Sequence, residues 1–227
     1  MIAFKQASML PVELEVTNIM NVIFADTIVS LPEEAKAITV QPGPPAFRFT
    51  DEEFERFCAE HAELRIEMDS EGEMIIQLPV VTEGGGRNFL LTTRFGGWVE
   101  ADGTGIGFDS STGFTLPNGA KRSPDVSWMR RERWDALSAE QKSQFARICP
   151  DFVVELRSKS DRLKTLRNKM EEYLANGAQL GWLIDPLEKK VHVYRPRLPV
   201  EILDSPAQTS GDPLLRGFVL KLEGILD

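Results

Sequence analysis

Glu155 is the residue most out of place. It interrupts Phe152-Val153-Val154-Glu155-Leu156, an apolar run with the composition of a strand buried on both faces. A carboxylate there destabilises the fold unless a cation or a metal ion meets it. Strand alternation sets Val153, Glu155 and Arg157 on one side and Phe152, Val154 and Leu156 on the other. Acid-x-base spacing of this kind suits a structural salt bridge, and it equally suits a carboxylate that holds a cation with a base beside it. Asp125 poses the same question inside Ser123-Pro124-Asp125-Val126-Ser127-Trp128. On neighbouring strands the two carboxylates would converge on one hard cation, Mg²⁺ or Mn²⁺, which takes few protein oxygens and keeps several waters. Lys169 follows Leu166 by three residues and precedes Tyr173 by four. It therefore flanks the buried stripe of a helix and can reach back over the sheet. The plainer reading of Lys169 is a lysine with its stem along the surface and its ammonium in water.

These residues need elements to position them. Thr50-Asp51-Glu52-Glu53 is a capping box with Phe49 and Phe54 at the staple positions, so a helix runs to about residue 62. Strands follow at 64–68 and 73–78 across an Asp69-Ser70-Glu71-Gly72 turn, and Gly84-Gly85-Gly86 reads as a loop. Leu91, Phe95, Trp98 and Val99 have helical spacing. Short β-type runs come at 105–109, 112–116 and 124–129. After Glu155, Ser160 or Asp161 caps a helix that runs through Asn176 and ends at Gly177, with Leu163, Leu166, Met170, Tyr173 and Leu174 as its buried stripe. Strands at 182–184 and 191–194 follow. Alternating strands and helices give an α/β (α+β) fold with a mixed central sheet flanked by helices. Residues 1–45 read as an arm with a Pro-rich exit at Gln41-Pro42-Gly43-Pro44-Pro45, and residues 46–227 as the domain.

Composition narrows the chemistry. With two cysteines, two histidines and no C-x-x-C pair there is no zinc constellation. The glycines at 103, 105 and 107 lack dinucleotide-binding spacing. No apolar run approaches membrane-spanning length and the N-terminus lacks a secretory pattern, so a cytoplasmic protein without a membrane partner is expected. The net charge of −9 hides an asymmetry: residues 121–169 carry 13 Lys+Arg against 7 Asp+Glu, a local +6 against −15 elsewhere. Such a chain can present one face to a polyanion, although a solvated helix face balanced by neighbouring acids explains the count as well.

The ordered set Pro124-Asp125, Pro150-Asp151-Phe152-Val153-Val154-Glu155, Ser158-x-Ser160, Lys169-x-x-x-Tyr173 and Gly181-Trp182-Leu183-Ile184-Asp185-Pro186 resembles the bacterial Uma-two family of restriction endonuclease-like proteins, within the PD-(D/E)XK nuclease superfamily. The resemblance covers residues 120–195 and extends to about 50, where Arg65-Ile66-Glu67 stands in the place of the family's Arg-aromatic-Glu. It implies a restriction-endonuclease-like core with one metal-dependent site. Asp125 becomes the first signature acid, Glu155 the second, and Glu67 the glutamate that often completes the shell. The superfamily's lysine stands two residues after the second acid, where this chain has Arg157. Many family members resemble this chain in placing a lysine on the next helix, here Lys169.

The resemblance thus implies a Mg²⁺-dependent (or Mn²⁺-dependent) endonuclease acting on DNA, with Lys169 or Arg157 assisting and Arg162, Lys164 and Arg167 tracking the phosphates. A catalytically inactive nuclease-fold module for nucleic-acid binding or protein assembly is the alternative, favoured by the acidic pI and by Arg157. A third reading makes Glu155–Arg157 a buried ion bridge with neither activity. A homodimer, with the arm before Pro42 at its interface, would pair two sites.

Overall fold

The computed structural model describes residues 19–24, 27–32, 37–40, 49–62, 64–77 and 81–227. Three strands come first: β1 (Ile19–Phe24), β2 (Thr27–Pro32), which pairs with it, and β3 (Ala37–Val40). The Pro-rich exit expected at 41–45 lies outside the described residues. Helix α1 (Asp51–Glu60) begins with the expected capping box: the Glu53 N–H donates to Thr50 Oγ1 at 3.2 Å and the Thr50 N–H to Glu53 Oε2 at 2.8 Å. Phe54 and Phe57 are its buried face. They pack on Ile66 and Met68 of β4 (Arg65–Met68) and on Met74 and Ile76 of β5 (Met74–Gln77). Between β4 and β5, Asp69 Oδ1 accepts the N–H groups of Glu71 and Glu73, and Gly72 adopts φ 88°.

Helix α2 (Thr82–Asp102) takes in Gly84-Gly85-Gly86, where a loop is expected. Glycine propensity loses here to packing, because Leu91 and Phe95 further along the same helix are buried in the main core. The chain continues through β6 (Gly105–Asp109), β7 (Phe114–Thr115), β8 (Lys121–Arg122), β9 (Val126–Arg130), α3 (Arg131–Asp135), α4 (Ala139–Lys142), β10 (Phe152–Leu156), α5 (Leu163–Ala175), β11 (Leu180–Asp185), β12 (Lys190–Tyr194), β13 (Glu201–Asp204), β14 (Gln208–Ser210) and β15 (Val219–Lys221).

Two sheets matter for the site. The larger has six strands in the order β13-β12-β11-β10-β9-β6, antiparallel except for β10 and β11, which α5 connects in parallel. The smaller has the order β3-β5-β4-β8-β7. Strand β3, hydrogen-bonded to β5, lies on the arm's side of the division expected at residue 45. Strand alternation divides the large sheet's two faces. Phe152, Val154 and Trp182 join Phe95 of α2 and Phe218 on one face, while Val153 and Leu183 join Met170 and Tyr173 of α5 on the other. Helix α5 lies close upon β11, since a Cβ at Gly181 would stand 2.4 Å from the Met170 methyl. Its N-cap is Arg162, without a side-chain cap, because Asp161 instead accepts the Ser158 N–H at 2.8 Å.

Candidate active site

Alternation along β4 sends Ile66 and Met68 toward α1, and so turns Arg65 and Glu67 to the opposite side. Alternation along β10 puts Glu155 beside Val153, under α5. Helical spacing then stacks Lys169 and Tyr173 one turn apart over Glu155. The Lys169 ammonium lies 2.8 Å from Glu67 Oε1 and 2.8 Å from Glu155 Oε1, one carboxylate from each sheet. The Tyr173 hydroxyl donates to Glu155 Oε1 at 3.0 Å. Glu67 also accepts the Ser123 N–H at 3.0 Å, with Arg122 Nη1 3.5 Å from its second oxygen. Arg122 in turn pairs with Glu172 of α5 at 2.6 Å.

Asp125 stands just before β9 and joins its neighbour strand by donating its N–H to the Val154 carbonyl at 3.0 Å. Its Oδ2 accepts the Leu156 N–H at 2.8 Å, and its Oδ1 meets Arg65 Nη1 at 2.9 Å. Arg65 also donates to the Ser123 carbonyl.

Burial and crowding divide the acids. Burial pushes the Glu155 carboxyl up; Lys169 opposes this, Asp125 and Glu67 reinforce it, and the group settles at about 7. Burial acts on Glu67 too, but Lys169, Arg122 and Arg65 outweigh it and hold that carboxyl below its ordinary range. For Lys169, burial is outweighed by Glu155 and Glu67, which keep the ammonium charged. The Tyr173 phenol is raised by burial and by the same two carboxylates, so it remains a donor.

A divalent cation would find only oxygen ligands here. Among the described residues no group of three or more His, Cys, Asp or Glu gathers, so a cation here would have the carboxylates of Asp125 and Glu155 and otherwise water, a donor type Mg²⁺ takes. Asp125 is tied to Val154, the residue before Glu155, and both side chains are hard oxygen donors, so the donor chemistry fits such an ion.

Of the expected residues, Glu67, Asp125, Glu155 and Lys169 come together. Arg157 does not: its Nη1 lies 2.7 Å from Asp185 and 3.7 Å from Glu188. Arg162, Lys164 and Arg167 are exposed on α5, and Arg167 acts on His192 and Tyr194 of β12 rather than on Glu155. Sequence reasoning left out Arg65, Arg122 and Tyr173 as site residues. The signals were there for two of them: Arg65 is two before Glu67, and Tyr173 is four after Lys169. Beside the cluster lies a cleft of about 920 Å³, between α1, β4 and the 110–113 turn, with Arg65 and Ser123 in its wall.

A sequence model described as "Uma2: Putative restriction endonuclease" matches residues 51–223. The chain belongs to the Uma2 family. This membership supports a nuclease-like function. A solved structure is similar in fold. That neighbour is the crystal structure of a putative nuclease belonging to DUF820 from Anabaena variabilis, 23% identical, with a TM-score of 0.58 over 71% of this chain and 89% of that one. At this identity the likeness is one of fold. No curated protein matches the chain. Among the described residues no helix is long and apolar enough to cross a membrane.

Proposed function

We propose that this Uma2 protein is a divalent-cation-dependent endonuclease that hydrolyses phosphodiester bonds in DNA. The observation that carries the reading is the Lys169 ammonium shared at 2.8 Å by Glu67 and Glu155, with Asp125 joined to the strand that carries Glu155. Asp125 and Glu155 would hold the cation, which when bound would supply Lewis acidity to activate water and to offset charge on the phosphate. Lys169 contributes a fixed positive charge where negative charge develops on the phosphate. Because Glu67 and Glu155 keep its ammonium protonated, it acts electrostatically and not as a base. Tyr173 holds Glu155 Oε1 in place, and the burial of this wall keeps bulk water away. Arg157, occupied by Asp185, has no part in the step. Arg162, Lys164 and Arg167 offer exposed charge to the phosphates alongside.

Cleavage of plasmid and oligonucleotide DNA in Mg²⁺, Mn²⁺ or EDTA tests the reading. Metal-dependent nicking is expected from the native chain and none from Glu155→Ala or Asp125→Ala; cleavage by either variant would overturn it. One observation favours the non-catalytic module, namely that three acids (Glu67, Asp125, Glu155) meet three bases (Arg65, Arg122, Lys169) and balance without a cation. Calorimetry separates the two, because the module predicts no Mn²⁺ binding.

A further inference from the structure

The three bases of the centre are not held alike. Lys169 lies between two carboxylates, Glu67 and Glu155, and Arg122 lies between Glu67 and Glu172. Arg65 meets one carboxylate, Asp125 at 2.9 Å, and otherwise only the uncharged Ser123 carbonyl. Its Nε is buried with no hydrogen-bond partner. The side chain of Arg65 is also 26% exposed, against 8% for each of the other two, and it lines the cleft beside the centre. Arg65 is the base with the weakest hold and the clearest way out.

Asp125 has both oxygens engaged by the chain itself. Oδ2 accepts the Leu156 N–H at 2.8 Å, and Oδ1 faces Arg65. The first contact is to backbone, beside the bond that ties the Asp125 N–H to the Val154 carbonyl, so it stays with the sheet. The second is the one that can open. A carboxylate oxygen has a further lone pair, but a divalent cation using it would stand within a few ångströms of the guanidinium, and like charges at that range repel strongly in a partly buried site. Exchange for Arg65 removes that repulsion; addition beside it does not. Lys169 cannot yield in its place, because its departure would strip the ammonium that Glu67 and Glu155 share in the interior.

Resting on the cation-dependent reading, we propose that Arg65 is the internal counter-ion of Asp125 and competes with the divalent cation for it. Arg65 withdraws toward the cleft as the cation reaches Asp125, so this one side chain sets the cation affinity of the centre. The balance of three acids by three bases is then one end of an exchange rather than a finished ion-pair network.

The test uses the full chain, with Ca²⁺ for nuclear magnetic resonance and Mn²⁺ for calorimetry. In the native chain the buried Arg65 Nε–H, identified by the signal lost in Arg65→Lys, should exchange slowly with solvent. Saturating Ca²⁺ should speed that exchange at least about tenfold, while the Nε–H of Arg122, held by Glu172, keeps its rate. Arg65→Gln should bind Mn²⁺ roughly tenfold more tightly than the native chain. Arg122→Gln removes the same charge without touching Asp125 and should change the affinity far less. An Arg65 Nε–H that stays protected with the cation bound overturns the proposal, and so does equal tightening in the two glutamine variants. The exchange measurement is made on the native chain and needs no variant to fold; circular dichroism checks the glutamine pair. Release of Arg65 by Ca²⁺ in a chain that cuts no DNA would uphold the exchange and sink the nuclease reading. Cation-dependent cleavage with Arg65 still protected does the reverse, and a native chain and Arg65→Gln that both bind no Mn²⁺ would end both.

Discussion

Two buried acid–base groups lie under the same face of the large sheet, one strand apart. On β11, Asp185 is fully buried, and each of its oxygens has its own donors: Oδ1 accepts the N–H groups of Leu187 and Glu188, and Oδ2 meets Arg157. On β10, the donors to Glu155 converge on Oε1, the ammonium there is shared with Glu67, and Asp125 adds a like charge nearby. The first group is complete in itself. The second shares one ammonium between two carboxylates and leaves Glu155 itself with the smallest part of the neighbouring positive charge, so its carboxyl stays perturbed. Burial alone does not tell them apart; the count of donors per oxygen does.

Breaking each group separately sharpens this contrast. Glu155→Ala should remove metal-dependent cleavage altogether while the melting temperature stays near the native value, because Glu67 still pairs with Lys169. Lys169→Met should lower the cleavage rate by roughly 10²–10³-fold, the loss typical of one pre-placed charge or donor. Asp185→Ala should show the opposite pattern. Chemical denaturation should report a loss of about 3 kcal/mol, as when one partner of a buried pair is removed, while the folded fraction cuts DNA at the native rate. A large activity loss in Asp185→Ala at full stability would collapse the distinction.

The pH profile separates them further. Since the Glu155 carboxyl is pushed up to about 7, cleavage should fall roughly tenfold per unit as the pH drops below that value. Linkage runs the other way for the metal-free fold. The folded chain binds the extra proton, so stability is fully present below the ordinary carboxylate range and declines as the pH rises from there toward 7. Glu155→Gln should abolish that decline. Smallest of all, Tyr173→Phe should cost about 1 kcal/mol in denaturant titrations and leave most activity in place.

Local signals were legible in the chain. The Thr50 capping box, the buried β10 run and the Lys169–Tyr173 stripe each follow from spacing within a few residues, and they led to Asp125, Glu155 and Lys169. Glu67 was named through the resemblance carried by Arg65-Ile66-Glu67, and what brings it to the centre is the long-range pairing of β4 with β8, Met68 opposite Lys121. Arg157 shows the converse. It shares the face of the acid, as its position two after Glu155 suggested, but Asp185 on the neighbouring strand takes its guanidinium. The glycines at 84–86 misled for a similar reason, since the helix they open is held by residues further along it.

Strand β3 sets a limit on where the polypeptide can be trimmed. It covers the free edge of β5, whose Met74-Ile75-Ile76 would otherwise present open backbone groups along an apolar ribbon. A chain begun at residue 46 would keep every side chain of the ionised centre, yet it would offer that ribbon to its neighbours in solution. Clumping would end its usefulness before any chemistry was lost.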